Sequence, residues 1–168
     1  MSETHVAYYV QITDDVDVEH EFTHQKRSGS AGQYAKIVAR LRSNQSGAEF
    51  KFINRIVRGA IPSEYIPGIQ RGLSRAIESG IAIPSEYIPG IPIGLSEAIE
   101  SEILDRYPVA NVEIELVDGD YHDVDSSDIA FEICARQWFL DVMKQLMYQK
   151  ALYLIDPIKN AIIPISPT

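Results

Sequence analysis

Cysteine is nearly absent from this chain: a single thiol, Cys134, in 168 residues. One sulfur cannot build a disulfide framework or a thiolate zinc site, and a reducing compartment is the simpler setting. Long hydrophobic runs are missing as well. No stretch approaches the roughly 20 apolar residues of a membrane-spanning helix, and the N-terminus lacks the basic-then-apolar pattern of a secretion signal. The expectation is a cytoplasmic chain with no membrane partner. There is no Gly-x-x-x-x-Gly-Lys-Ser/Thr loop to cradle nucleotide phosphates. His5, His20, His24 and His122 show no metal-ligand spacing. Asp118, Asp120, Asp123, Asp125 and Asp128 crowd one stretch but miss the spacing of an EF-hand loop, so turn and cap roles suit them better. Serine, histidine and aspartate on that same short stretch do not make a triad, which needs a base held against the nucleophile and an oxyanion site. The chain is therefore expected to have no catalytic residues, no metal and no cofactor.

What is present is a foldable composition: 45% apolar residues, enough for one ordinary core, with residues 1–168 read as a single domain and 159–168 as an edge strand or tail. The net charge of −9 disfavours polyanions on average, yet the charge is segregated. Between Lys26 and Arg58 stand eight bases (Lys26, Arg27, Lys36, Arg40, Arg42, Lys51, Arg55, Arg58) against one acid, Glu49, a local charge of +7. The remainder carries −16. A basic surface on an acidic body can engage phosphates in a salt-dependent way; solvated outer strand faces are the plainer reading of the same bases.

Alternation sets out the strands. Val6–Ile12 is β-rich, Asp14-Asp15 suits a turn, and Val16, Val18 and Phe22 alternate with acids toward a strand ending at His24-Gln25-Lys26-Arg27. Gly29 and Gly32 then allow a tight turn that exposes backbone N–H groups. From Gln33 to Arg42, Ile37, Ala39 and Leu41 share one face, with Lys36, Val38, Arg40 and Arg42 on the other. Ser43–Gly47 reads as a turn and Phe50–Val57 as the antiparallel partner of that strand, the two forming a hairpin that holds most of the positive charge. Val112, Ile114 and Leu116 alternate with Asn111, Glu113 and Glu115 in a later strand.

Residues 61–82 and 83–104 are near copies, identical at 17 of 22 positions. Ile69, Leu73, Ala76 and Ile77 form a helical stripe in the first, starting near Pro67 and stopping at Gly80; Ile91, Leu95, Ala98 and Ile99 form one in the second. Pro84 and Pro89 forbid a continuous helix through both. Two helices are expected, one filling the groove against the sheet and the other finding a new surface or lying loosely outside.

The stretch Asp118–Ser127 organises the rest. Asp118-Gly119 suggests a turn at the end of the tip strand, and Asp125, Ser126 or Ser127 can cap the helix that follows, in which Ala130, Phe131, Cys134, Trp138, Val142 and Leu146 fall at helical spacing. Between strand and helix, the Tyr121 ring is placed to pack inward and the His122 imidazole to project outward.

The run Asp118-Gly119-x-Tyr121-His122-Asp123-Val124-Asp125-Ser126-Ser127-x-x-Ala130-Phe131 closely resembles the fourth domain of elongation factor G, the GTPase that drives translocation on the ribosome. Ser28-Gly29-Ser30-Ala31-Gly32-Gln33-Tyr34 resembles that family's other tip loop, and Ile61-Pro62-x-Glu64-Tyr65-Ile66-Pro67 the start of its crossover helix. The resemblance implies an α+β fold like ribosomal protein S5 domain 2, a mixed sheet of about four strands with helices on one face, here with an extra helix from the duplication. It implies a tip that enters the decoding site and contacts small-subunit rRNA and the tRNA–mRNA duplex through Lys26, Arg27, Ser28, Gly29, Ser30, Gly32, Gln33, Tyr121, His122 and Asp123, by shape and backbone rather than sequence. GTP would be engaged only by domains absent from this chain, as is the fifth domain that would begin near Ile158. Two residues depart from the pattern: Asp120 adds a negative charge where a small neutral residue is usual, and Ala31 stands where a basic residue often does. The rival expectation is an engineered or free-standing scaffold of the same fold with no ribosome function.

Overall fold

The computed structural model describes residues 8–28, 31–89 and 106–167. In chain order the strands and helices are β1 (Tyr9–Ile12), β2 (Asp17–Ser28), β3 (Ala31–Ser43), β4 (Lys51–Asn54), α1 (Ile66–Ser79), β5 (Ile81–Ala82), β6 (Arg106–Tyr107), β7 (Val109–Ala110), β8 (Val112–Asp120), α2 (Asp128–Tyr148), β9 (Leu152–Asp156) and β10 (Ala161–Pro164). The main sheet runs β2-β3-β8-β4, a second runs β10-β9-β1-β7, and β5 pairs with β6. The architecture is the expected mixed α/β arrangement, with α2 against the inner faces of β2 and β3 and α1 against α2.

One expectation is corrected here. β4 is not the antiparallel partner of β3: β8 lies between them, antiparallel to β3 and parallel to β4. Charge explains the order. The outward side chains of β8 include Glu113 and Glu115, and inserting them between two basic strands pairs Arg42 with both acids, Lys51 with Glu113 and Arg55 with Glu115. A β3–β4 hairpin would instead set like charges side by side, which destabilises a sheet. The connection from β4 to β8 must then cross over, and α1 lies on that crossover.

The tip strand also runs further than expected, because Asp118-Gly119 is strand rather than turn. A register shift opposite Val38 and Ala39 leaves Val117 as an extra, bulged residue. Beyond it the alternation inverts: Ile114 and Leu116 face the core, then Gly119 does, while Asp118 and Asp120 face water. Gly119 is needed for its size, since a Cβ there would collide with the Ile61 side chain and the Lys36 carbonyl.

The two sheets are stitched by a single extended run. Val109–Ala110 pairs with β1 in the second sheet, and Val112 onward belongs to the main one. Asn111 makes the bend at φ +62°, a left-handed conformation that asparagine tolerates. Its amide donates to the Ala48 carbonyl and its carbonyl accepts from the Asn44 amide, at 3.0 and 2.7 Å.

The core centres on α2. Trp138, Phe131, Phe139 and Met143 are fully buried against Ile37, Leu41, Ile114 and Leu116, each large apolar side chain contributing roughly 1.5–3 kcal/mol by transfer from water. The Trp138 indole donates to the His20 carbonyl at 2.8 Å. Ser127 is the N-cap, its Oγ accepting from the Ala130 amide at 3.0 Å, as the sequence suggested.

The first repeat copy is the helix expected from its stripe, ending at Gly80 (φ +75°), which donates to the Ala76 carbonyl. It lies so close to α2 that a Cβ on Gly68 or Gly72 would strike the backbone carbonyls of Asp128 and Glu132. Arg71 bridges Asp128 and Glu132, and Arg75 also reaches Glu132. Of the second copy, residues 83–89 are described: a short 3-10 turn, Ser85–Tyr87, flanked by buried Ile83 and Ile88; the helix expected over Ile91, Leu95, Ala98 and Ile99 lies outside the described residues.

Candidate nucleic-acid interface

The two tip segments converge. β2 and β3 remain paired out to Ser28 and Ala31. Gly29 and Ser30 are outside the described residues, whereas Lys26 and Arg27 stand exposed on β2 opposite Gln33 and Gly32.

The 121–127 loop is fastened to this hairpin by Tyr34. Its amide donates to the Asp125 carbonyl at 3.0 Å, its carbonyl accepts from Ser126 Oγ at 2.7 Å, and its hydroxyl donates to Asp120 Oδ2 at 3.2 Å. Burial and the Asp120 carboxylate raise the pKa of the Tyr34 phenol. Its ring carries His122, with centroids 4.0 Å apart and planes inclined by 12°. Ser126 Oγ also accepts from the His122 amide at 2.9 Å, so one hydroxyl serves both segments. Gly32 leaves room for Asp125, since a Cβ there would lie 2.8 Å from its carboxyl group. Asp125 in turn faces His122 Nδ1 at 4.0 Å.

Of the expected contact residues, Lys26, Arg27, Gly32, Gln33, Tyr121, His122 and Asp123 are thus gathered at one end of the molecule; for Ser28 only the backbone is described. The His122 side chain is 50% exposed, one face on Tyr34 and the other toward solvent. Tyr121 does not pack inward; its side chain is exposed. Gln33 Oε1 is held by His24 Nε2 at 2.9 Å, so its amide is already partly engaged. Sequence reasoning missed Tyr34 and Ser126 as supports, although both lie inside the matched motifs.

The broad basic surface is corrected to a much smaller one. Lys36 pairs with Glu21, Arg40 with Asp17 through two bonds of 2.5 and 2.6 Å, and Arg42, Lys51 and Arg55 with the β8 acids. The Arg40 guanidinium holds the Asp17 carboxyl below its ordinary pKa. Lys26, Arg27 and Arg58 remain without an ion pair among the described residues, two of them at the tip. Asp120 accepts from the Tyr34 hydroxyl and the Tyr121 amide, Asp125 faces His122 and Asp128 pairs with Arg71, and among the described residues no group of His, Cys, Asp and Glu could hold a metal ion. No helix among the described residues is long and apolar enough to cross a membrane.

Comparison with known proteins places this geometry in a family. The family model "Elongation factor G, domain IV" matches residues 4–83 and 79–146, dividing where the two repeat copies meet. Elongation factor G of Rhodopseudomonas palustris (strain BisB18) is 34% identical over 140 residues, covering 83% of this chain. A crystal structure from Thermus thermophilus superposes with a TM-score of 0.65 at 29% identity over 89% of the chain. Both relatives are far longer, the chain spanning 17% and 18% of their lengths. A match over most of the sequence establishes that the chain belongs to the elongation factor G domain IV family.

Proposed function

We propose that this chain is a non-catalytic tip domain of a translational translocase, which contacts small-subunit rRNA and enters the decoding site beside the tRNA–mRNA duplex. The observation that carries the reading is the single platform formed by the two tip segments, with His122 stacked on Tyr34 and presented to solvent beside Lys26 and Arg27. Such a platform offers an aromatic face, amide and imidazole hydrogen-bonding groups and two cations without an ion pair among the described residues, which suit RNA backbone and 2′-hydroxyl contacts. The other contact residues in this reading are Ser28, Gly29, Ser30, Gly32, Gln33, Tyr121 and Asp123. GTP hydrolysis belongs to other domains of a full-length factor.

A scaffold without ribosome function is favoured by one observation, the internal pairing of five of the eight bases. Directed RNA cleavage separates the two readings. The lone Cys134 is buried, so Val124→Cys at the tip (91% exposed) and Ile158→Cys (68% exposed) each provide one site for an iron chelate. The translocase reading predicts cleavage of small-subunit rRNA around the decoding centre from position 124 and not from position 158. Equal or absent cleavage from both positions supports the scaffold.

A further inference from the structure

In the main sheet β2, β8 and β4 run toward the tip, and β3 runs away from it. The chain leaving β4 is therefore delivered toward the same end of the molecule as the hairpin and the 121–127 loop. It turns beside them through Val57, Arg58, Gly59 and Ala60, the Ala60 amide donating to the Val57 carbonyl at 3.3 Å. The turn is held on both sides. Before it, the Arg55 amide donates to the Leu116 carbonyl at 2.8 Å. After it, Ile61 is buried against Gly119, and the Tyr65 hydroxyl donates at 3.4 Å to the carbonyl of Ser126, whose Oγ supports Tyr34 and His122.

Arg58 is exposed on this turn, and its guanidinium makes no ion pair or hydrogen bond among the described residues. Arg55, three residues earlier, is by contrast bound to Glu115. Arg58 also holds a left-handed backbone, φ +58°, a conformation that disfavours any residue carrying a Cβ. The exposed side chain contributes no packing that would call for arginine here. Strain kept beneath an exposed, unpaired cation points to a use for the cation.

We infer that Arg58 is a further phosphate contact beside the tip, taking an RNA backbone phosphate on the flank opposite Lys26 and Arg27. The inference rests on the RNA-binding reading of the tip. Sheet order sets the two flanks: Lys26 and Arg27 lie on β2, Tyr34 on β3, His122 just beyond β8 and Arg58 just beyond β4. The edge strands β2 and β4 are separated by three inter-strand spacings, roughly 14 Å. That separation suits two phosphates rather than one, with the His122–Tyr34 stack between them. A planar guanidinium fork matches phosphate oxygens two at a time, so Arg58 adds direction as well as charge. RNA lying over the stack is then gripped on both sides, which fixes how it crosses the tip.

Binding of the full chain to isolated small ribosomal subunits across a salt series tests this, with Arg58→Gly, Arg58→Lys and Lys26→Ala/Arg27→Ala. Glycine adopts the left-handed backbone without a Cβ clash, so Arg58→Gly should leave the thermal unfolding midpoint unchanged or raise it, and lost binding is then not lost folding. One phosphate contact contributes about 0.7–0.9 to the slope of log affinity against log salt, which is about five- to eightfold in affinity at about 0.1 M salt. Arg58→Gly is expected to lose that much of both, and Arg58→Lys to keep the slope. The losses of Arg58→Gly and Lys26→Ala/Arg27→Ala should multiply when the changes are combined. The inference is overturned if Arg58→Gly binds as the unaltered chain does while Lys26→Ala/Arg27→Ala binds more weakly, a result that leaves the tip reading intact. It is also overturned if the combined variant loses no more than either parent, since both positions then serve one phosphate. Binding that none of the variants alters removes the tip reading and this inference with it.

Discussion

His122 rests face to face on Tyr34, ring centroids 4.0 Å apart, although the two residues are 88 positions apart in the sequence. This stack makes one surface of two loops. It is supported at three points, by Ser126 beneath both backbones, by Asp120 on the phenol and by Asp125 beside Gly32. The exposed imidazole is thus aimed by groups that need not themselves touch a partner.

Ser126→Ala removes both an acceptor for the His122 amide and a donor to the Tyr34 carbonyl. Each lost bond is worth on the order of 1 kcal/mol. Urea unfolding should show a loss of about 1–3 kcal/mol, and the His122 ring resonances in NMR spectra should lose the upfield shift that stacking on Tyr34 imposes.

Gly72→Ala and Gly94→Ala are the same substitution in the two repeat copies. At position 72 the new methyl collides with the Glu132 carbonyl, and forcing the helices apart costs roughly 1–3 kcal/mol, more than the ~1 kcal/mol gained in helix propensity. The 94 variant should be neutral or slightly stabilising. Thermal unfolding of both distinguishes them, and a larger loss at 94 would mean that the second copy occupies the groove.

Cys134 governs an alkaline transition. Burial raises its thiol from 9.0 to about 12, and burial first, then nearby carboxylates, raises Tyr34 and Tyr65 above 10.0. Groups that hold their protons more tightly when folded lose stability as pH rises above their unfolded pKa, by up to about 1.4 kcal/mol per pH unit for each group. Unfolding free energy should therefore fall from about pH 9 upward, less steeply in Cys134→Ala. Below that range the thiol should resist alkylation until the chain unfolds.

Asp120→Asn keeps an oxygen to accept from the Tyr34 hydroxyl and deletes a charge that repels phosphate. RNA affinity at about 0.1 M salt should rise several-fold, with stability changed by less than 1 kcal/mol. Weaker binding would show that the carboxylate itself is part of the contact.

Much of this architecture is written locally. The alternation of Ile37, Ala39 and Leu41, the stripe of the first repeat copy and the Ser127 cap each act within a few residues, and each stands as its pattern implies. The position of β4 is not local. Phe50–Val57 follows β3 after a short turn and reads as its hairpin partner, yet Glu113 and Glu115, some 60 residues later, neutralise the bases that a hairpin would crowd together. The same pairing shrinks the basic surface to its tip. Asp118-Gly119 reads as a turn because glycine has two uses, and only the nearness of Ile61 shows that size matters here. The second sheet sets β1 between β7 and β9, pairings without a short-range signal, whereas β9 and β10 form a local hairpin.

The central claim is that the Tyr34–His122 platform with Lys26 and Arg27 binds small-subunit RNA. The most direct measurement is equilibrium binding to isolated small ribosomal subunits across a salt series, for the unaltered chain and for Lys26→Ala/Arg27→Ala/His122→Ala. The account predicts weaker binding by the triple variant and a slope of log affinity against log salt shallower by roughly 1.5, from two lost phosphate contacts. Identical affinity and slope for the two proteins would contradict it.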